Sequence, residues 1–226
     1  METITQVAVL IPTRGLLFTA VTESVEQNLC AARKEYETVG MPLFYYMVKY
    51  TEDKPIPECC EYLAEYALGH GATHLWFVEE DTVPPPFALV KMLEADKDYV
   101  AIDYPVGDGI STSYRLKDRV AWTGLGCTLI KAKVFESIEP PYFTTGNTIE
   151  IHSRGVLESV DRPCPYGGHD INLGVRLVEA GFELSVLPGL EAKHLRLEGL
   201  GERYTNNGCH SISVKKPISR QAGAFW

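Results

Sequence analysis

The stretch HLWFVEEDTVPP, from His74 to Pro85, runs a largely apolar segment straight into three consecutive carboxylates and then into prolines. The apolar part reads as a buried strand, and the prolines as the opening of a helix. Side by side, Glu79, Glu80 and Asp81 repel one another, so the cluster calls either for solvent or for a neighbouring cation. In an extended chain alternate side chains share a face, which puts Glu79 with Asp81 and turns Glu80 away. Two carboxylates on one side suit a hard divalent ion such as Mg²⁺ or Mn²⁺, which takes oxygen ligands. A solvated turn in which Asp81 caps the following helix accounts for the same residues equally well.

On either side the chain alternates between strand and helix. QVAVLIPT, ending at Pro12 and Thr13, is apolar on both faces, and PLFYYMVKY and DYVAIDY read as further strands. Between them, Leu17, Val21, Val25, Leu29 and Ala32 recur at helical spacing, and a second helix runs from about Pro57 to Gly69. Strands of this kind separated by helices predict a mostly parallel sheet covered on both sides. Ligands of such sheets bind beyond the carboxyl ends of the strands. That rule sets Thr13, Arg14, Tyr50, Thr51, Glu79 to Asp81, Asp103 and Tyr104 along one rim. After Pro105 the rhythm changes to a flap of short strands, a strand with a short helix (CTLIKAKVFESI), and a helix and strand ending near Gly189. One domain is expected over 1–226, with a nucleotide-binding half at 1–105, a second half at 106–196 and a loop-rich tail at 197–226.

Composition narrows the function. The chain has 226 residues, 45% hydrophobic and 23% charged, as a soluble globular protein does. No apolar run reaches the ~20 residues of a membrane span, and METITQVAVLIPT reads as a strand and not a signal peptide, so a cytoplasmic protein is expected. A net charge of −9 argues against binding a nucleic-acid backbone. The six cysteines show no CxxC pair and are expected to be reduced, with Cys59 and Cys60 packing a helix face.

Three further groups carry polar chemistry. In YGGHDINLGVRL, two glycines deliver His169 and Asp170 to a helix start, where Asp170 is either an N-cap or a base presented to the cleft; spacing alone favours the cap. In EAKHLRLEG, His194 and Arg196 share a face if the segment is extended. In WTGLGCTLI, Gly124 and Gly126 precede a strand and permit close backbone approach to a ligand.

The order of these blocks resembles that of a GT-A-type glycosyltransferase, similar to small family 2-like enzymes of bacteria and phages. VLIPTRG resembles the first strand and nucleotide loop, and ATHLWFVEEDTVPP the segment with the DxD metal motif. TGLGCTLIKAKVFESIEPPYF resembles the stretch near donor sugar and acceptor, GGHDINLGVRLVEAGFEL the ED-type block, and KHLR a late metal-ligating histidine. The resemblance implies a divalent cation (Mn²⁺ or Mg²⁺) on Glu79, Asp81 and His194. It implies a nucleotide-sugar donor, UDP-sugar foremost, lined by Pro12, Thr13, Arg14, Glu79, Glu80, Gly124 and Arg196, with Asp53 near the base. Asp170, assisted by His169, would be the general base of an inverting transfer; the acceptor is open among protein, glycan, lipid and modified nucleobase. The chain departs from the family pattern in Glu79, where Asp is usual, in His169, where an acid is usual, and at Glu58, Cys59 and Cys60, where relatives often carry an Arg-Asn pair. Phosphate contacts made there in relatives would fall to Lys54 or Arg196. A nucleotidyltransferase shares the sheet and acidic residues, but PTRGLLFTA lacks its Gly-rich basic loop. A non-catalytic sugar-nucleotide binder would keep the fold without transfer.

Overall fold

The computed structural model describes residues 4–13, 15–40, 43–50, 54–106, 110–116, 118–145, 147–151, 157–161 and 168–195. Its first half comprises β1 (Thr5–Pro12), α1 (Thr19–Thr38), β2 (Leu43–Tyr50), α2 (Ile56–Gly69), β3 (His74–Val78), β4 (Thr82–Val83), α3 (Ala88–Ala95) and β5 (Tyr99–Asp103). The short strands β6 (Pro105–Val106), β7 (Ile110–Ser111), β8 (Tyr114–Leu116) and β9 (Arg119–Trp122) follow. After them come β10 (Cys127–Lys131), α4 (Ala132–Phe135), β11 (Asn147–Ile151), β12 (Leu157–Asp161), α5 (His169–Glu179), β13 (Leu184–Glu191) and β14 (Lys193–His194).

Eight strands form the central sheet in the order β2-β1-β3-β10-β5-β13-β9-β8. β1 runs parallel to β2 and β3, and β5 parallel to β13. β10 is inverted between β3 and β5, and β9 is antiparallel to β13. The sheet is mostly parallel, as the sequence pattern predicts, with the inverted strand β10 at its centre. A strand buried on both faces is apolar throughout and carries no mark of its direction. Because β10 opposes both neighbours, β3 and β5 still point the same way, and the carboxyl ends of β1, β3 and β5 share one edge.

Alternation along β1 divides the core in two. Val7, Val9 and Ile11 pack with Trp76 and Val78 against α1 and α3, while Ala8 and Leu10 pack with Leu75 and Phe77 against α2. Burial on both faces is what makes these strands uninterrupted apolar runs. β2, at the sheet edge, keeps Phe44 and Tyr45 exposed, which its apolar sequence does not disclose.

Two local devices set the edge where the strands end. On α1, Ser24 Oγ donates to the Pro84 carbonyl at 2.6 Å, and Asn28 Nδ2 donates to the Pro85 carbonyl at 3.1 Å. Asn28 Oδ1 in turn accepts the Leu89 N–H at 3.2 Å, satisfying a donor that the first turn of α3 leaves unpaired. This buried network fixes the proline segment just after the carboxylates. On the other side, a Cβ at Gly174 of α5 would meet Trp122 Cβ at 2.7 Å and its Cα at 2.9 Å. The glycine lets α5 lie directly on β9, which carries its N-terminus to the same edge.

Candidate functional site

β3 stops at Val78, and Glu79, Glu80 and Asp81 occupy a turn closed by the Thr82 N–H on the Glu79 carbonyl at 3.1 Å. The alternation expected of an extended chain thus gives way to turn geometry, yet the side chains still part company. Glu80 is buried and accepts the Thr13 hydroxyl at 2.5 Å. That hydroxyl also lies 2.8 Å from the Leu16 carbonyl and accepts the Gly15 N–H at 3.0 Å. Thr13, expected to face a nucleotide, is turned inward: with Glu80 it ties the loop after β1 to the acidic turn, and the Phe18 N–H on the Glu80 carbonyl (3.2 Å) makes a second tie. Pro12 closes β1 in the buried layer beneath this loop.

Asp81 and His194, remote in sequence, come together. β14 pairs antiparallel with β4, placing His194 opposite Thr82, and the Leu195 N–H donates to the Asp81 carbonyl at 2.7 Å. His194 Nε2 stands 3.5 Å from Asp81 Oδ2. Neither strand is longer than two residues, so pattern reading had no means of finding the pairing.

Glu79 faces the same space. Burial first, then Asp81 and Asp170, pushes its carboxyl up to about 8, against the opposing pull of His194 and a hydrogen bond from Tyr104. Asp170 therefore belongs to this electrostatic cluster. It is not the helix cap: Gly168, at φ 79°, is the N-cap of α5, and no side chain caps that end. Asp170 sits in the first turn, and its Oδ1 accepts the Ile171 N–H at 2.9 Å. Among the described residues no other hydrogen bond engages the carboxylate, which leaves an oxygen for chemistry. His169 is buried beside Phe143, with ring centroids 6.3 Å apart, and burial lowers its pKa against the opposing charge of Asp170. Neither of its ring nitrogens has a hydrogen-bond partner among the described residues, which rules out a bond to Asp170 in this conformation.

Gly124 and Gly126 have a different cause from the one their spacing suggests. A Cβ at Gly126 would meet Tyr104 Cζ at 2.6 Å, and one at Gly124 would collide with the Tyr104 hydroxyl. The close approach they permit is that of the protein's own phenol. Tyr104, set on the rim by the strand-end rule, was given no role there; a tyrosine ending an apolar strand does not disclose what its hydroxyl will bond. Asp103, beside it, is engaged by the flap, accepting Ser111 Oγ at 2.6 Å, Thr112 Oγ1 at 2.9 Å and the Ser113 N–H at 3.1 Å. Burial tends to raise its pKa, but these hydrogen bonds outweigh that and hold it below the usual carboxylate range. Cys59 and Cys60 are buried free thiols on α2, and burial pushes both up in pKa, as packing residues require. Arg14, Asp53 and Arg196 lie outside the described residues.

Asp81 and His194 could supply two ligands to a divalent cation shared with a substrate. One carboxylate oxygen and one imidazole nitrogen face each other, with further negative charge around them, and such ions commonly complete their shell with substrate phosphates and water. Among the described residues no group of three or more His, Cys, Asp or Glu is placed to hold a metal ion by itself.

Two solved structures resemble the chain over most of its length. The Drosophila β-1,4-galactosyltransferase 7, crystallised as a mutant with manganese, UDP-Gal and xylobiose, superposes with a TM-score of 0.54 at 13% identity, covering 96% of this chain and 80% of that one. A197 from STIV superposes with a TM-score of 0.53 at 18% identity, covering 86% and 87%. The fold is of the GT-A type. No protein-family model matches the sequence, and no curated protein matches it. Among the described residues of this GT-A fold, no helix is long and apolar enough to cross a membrane.

Proposed function

We propose that this chain is a cation-dependent glycosyltransferase that moves a sugar from a nucleotide-sugar donor, preferably a UDP-sugar, to an acceptor hydroxyl. The observation that carries the reading is the approach of Asp81 and His194 to 3.5 Å on the edge where the central strands end, facing Glu79 and Asp170. In this reading Asp81 and His194 would hold Mn²⁺ or Mg²⁺. Bound there, the cation neutralises charge developing on the departing nucleoside diphosphate. Its charge would also offset the repulsion from Asp81 and Asp170 that adds to burial in raising the Glu79 carboxyl.

Asp170 accepts the proton of the acceptor hydroxyl. Its position in the first turn of α5 fixes it against the sheet, and the Ile171 N–H orients one oxygen while the other receives the proton. A single base facing the donor suits inversion. Thr13 and Glu80 act indirectly, holding the loop from which Arg14 would reach the nucleotide; Asp53 and Arg196 complete the proposed pocket, with Pro12 and Gly124 shaping it from beneath. Residues 1–105 and 106–196 each contribute one side of this site, within one transferase domain.

Thermal unfolding with Mn²⁺ and UDP-, GDP- or dTDP-sugars, singly and combined, tests the reading. A ligand of the folded state stabilises by RT ln(1 + [L]/Kd), about 2.7 kcal/mol at 100-fold saturation. The expected result is a shift that needs cation and one nucleotide together and disappears in Asp81→Ala. No shift with any combination would overturn it.

A further inference from the structure

Tyr104 follows β5 and is fully buried, so its hydroxyl requires partners inside the protein. It has two. The hydroxyl accepts the Gly126 N–H at 3.0 Å and donates to Glu79 Oε2 at 3.1 Å. The flat of its ring lies on the His194 imidazole, with centroids 5.7 Å apart and planes inclined by 28°. Gly124 and Gly126 leave the space the phenol fills, and any side chain at either would displace it. One buried side chain thus touches a carboxylate that follows β3 and an imidazole on β14. These two groups come from opposite ends of the chain, and His194 is the one that reaches Asp81.

We infer that Tyr104 is a positioning residue for the cation and donor site, its hydroxyl aiming the Glu79 carboxylate and its ring setting the plane of the His194 imidazole. The inference rests on the functional reading given above. A group that orients metal-facing residues without touching the metal acts through their geometry, and removal of such partners typically lowers metal affinity by about 10–100-fold. Tyr104→Phe is the minimal test, because it keeps the ring and its contact with His194 and deletes only the bridging hydroxyl.

Tyr99, on the same strand, supplies the control. It too is fully buried, and its hydroxyl lies 2.7 Å from Thr123 Oγ1, away from Glu79 and His194. Tyr99→Phe removes a buried hydroxyl bond of the same kind. If Tyr104 merely holds the fold together, the two variants lose similar stability and neither changes cation binding. Mn²⁺ binding to the whole chain, followed by the electron paramagnetic resonance signal of free Mn²⁺ with and without UDP, separates these cases. The expected result is that Tyr104→Phe weakens Mn²⁺ binding at least about tenfold, while Tyr99→Phe binds as the parent protein does. Equal Mn²⁺ affinity in the parent and Tyr104→Phe, with both folded, would overturn the inference and leave the transferase reading standing. A parent protein that binds no Mn²⁺ in either condition would remove the site itself, and the inference with it.

Discussion

The two ends of β3 carry opposite kinds of electrostatics. At its start, Asp96 and Asp98 meet lysines: Lys131 Nζ lies 2.5 Å from Asp96 and 3.7 Å from Asp98, and Lys133 Nζ lies 2.7 Å from Asp98. Past its end, Glu79, Asp81 and Asp170 gather with no lysine or arginine paired to them among the described residues, and only His194 stands beside Asp81. The first end is neutralised by the chain itself, so its charges hold structure. Among the described residues the second is unbalanced, and it lies on the edge where sheets of this kind receive ligands. What the described residues leave uncompensated there is what an incoming cation can complete.

The largest effect expected from this contrast comes from exchanging one aspartate at each end. Asp81→Asn keeps size and polarity but removes the charge facing His194, and should lower sugar transfer on the order of 100-fold or more, because it weakens the charge stabilisation of the leaving group. Asp98→Asn breaks ion pairs that are partly open to water, which are worth about 0–1 kcal/mol, and should leave transfer unchanged. Initial rates of nucleoside diphosphate release check both. Comparable losses in the two variants would erase the distinction between the ends.

Next in size is the response to pH at the unbalanced end. The Glu79 carboxyl, raised to about 8, keeps in the folded state a proton that the unfolded chain releases near its ordinary value of 4.5. The folded state therefore binds more protons between those values, and stability falls as pH rises through that window. Glu79→Gln abolishes this dependence. Discounted for partial exposure of the group, the cation-free variant should be about 2–3 kcal/mol more stable than the parent at pH 8, with little difference near pH 4.5. Saturating Mn²⁺ should narrow the gap, since the cation supplies the missing charge. Denaturant titrations at the two pH values measure it, and parallel stability profiles for parent and variant would refute the raised carboxyl.

How much of this was legible in the sequence follows from what each signal encodes. Apolar runs and helical spacing located β1, β2, β3, β5 and the helices between them, because burial imposes those periods directly. The inverted β10 escaped, since a doubly buried strand looks alike in either direction. Ser24 and Asn28 escaped because they sit on a helix read for its apolar stripe, although their i, i+4 spacing was the available clue. Asp170 read as a cap because spacing does not reveal that Gly168, in a left-handed conformation, takes that position. The glycines flanking Leu125 announced a close approach but not its occupant, and the occupant was Tyr104. The meeting of Asp81 with His194 was suggested only by the order of blocks shared with a family, since two-residue strands leave no pattern.

The smallest effect returns to the neutralised end. His74 opens β3 opposite Lys131, with its Nδ1 2.9 Å from Thr73 Oγ1. Burial, and then the Lys131 charge, lowers its pKa from 6.5 to about 4. Here the unfolded chain binds the extra proton, so the sign reverses: stability is retained above pH 6.5 and declines as pH falls towards 4. The decline attributable to His74 is about 1–2 kcal/mol after allowance for its partial exposure. His74→Gln, which cannot ionise, should lose that much less between pH 7 and 4 than the parent, whereas Glu79→Gln removes a dependence of the opposite sign between pH 4.5 and 8. Unfolding curves of the two variants between pH 4 and 8 would then change slope against the parent in opposite directions, as the two ends of β3 require. If His74→Gln instead followed the parent through pH 4, the charge balance at the foot of the strand would lie with Asp96 and Asp98 alone.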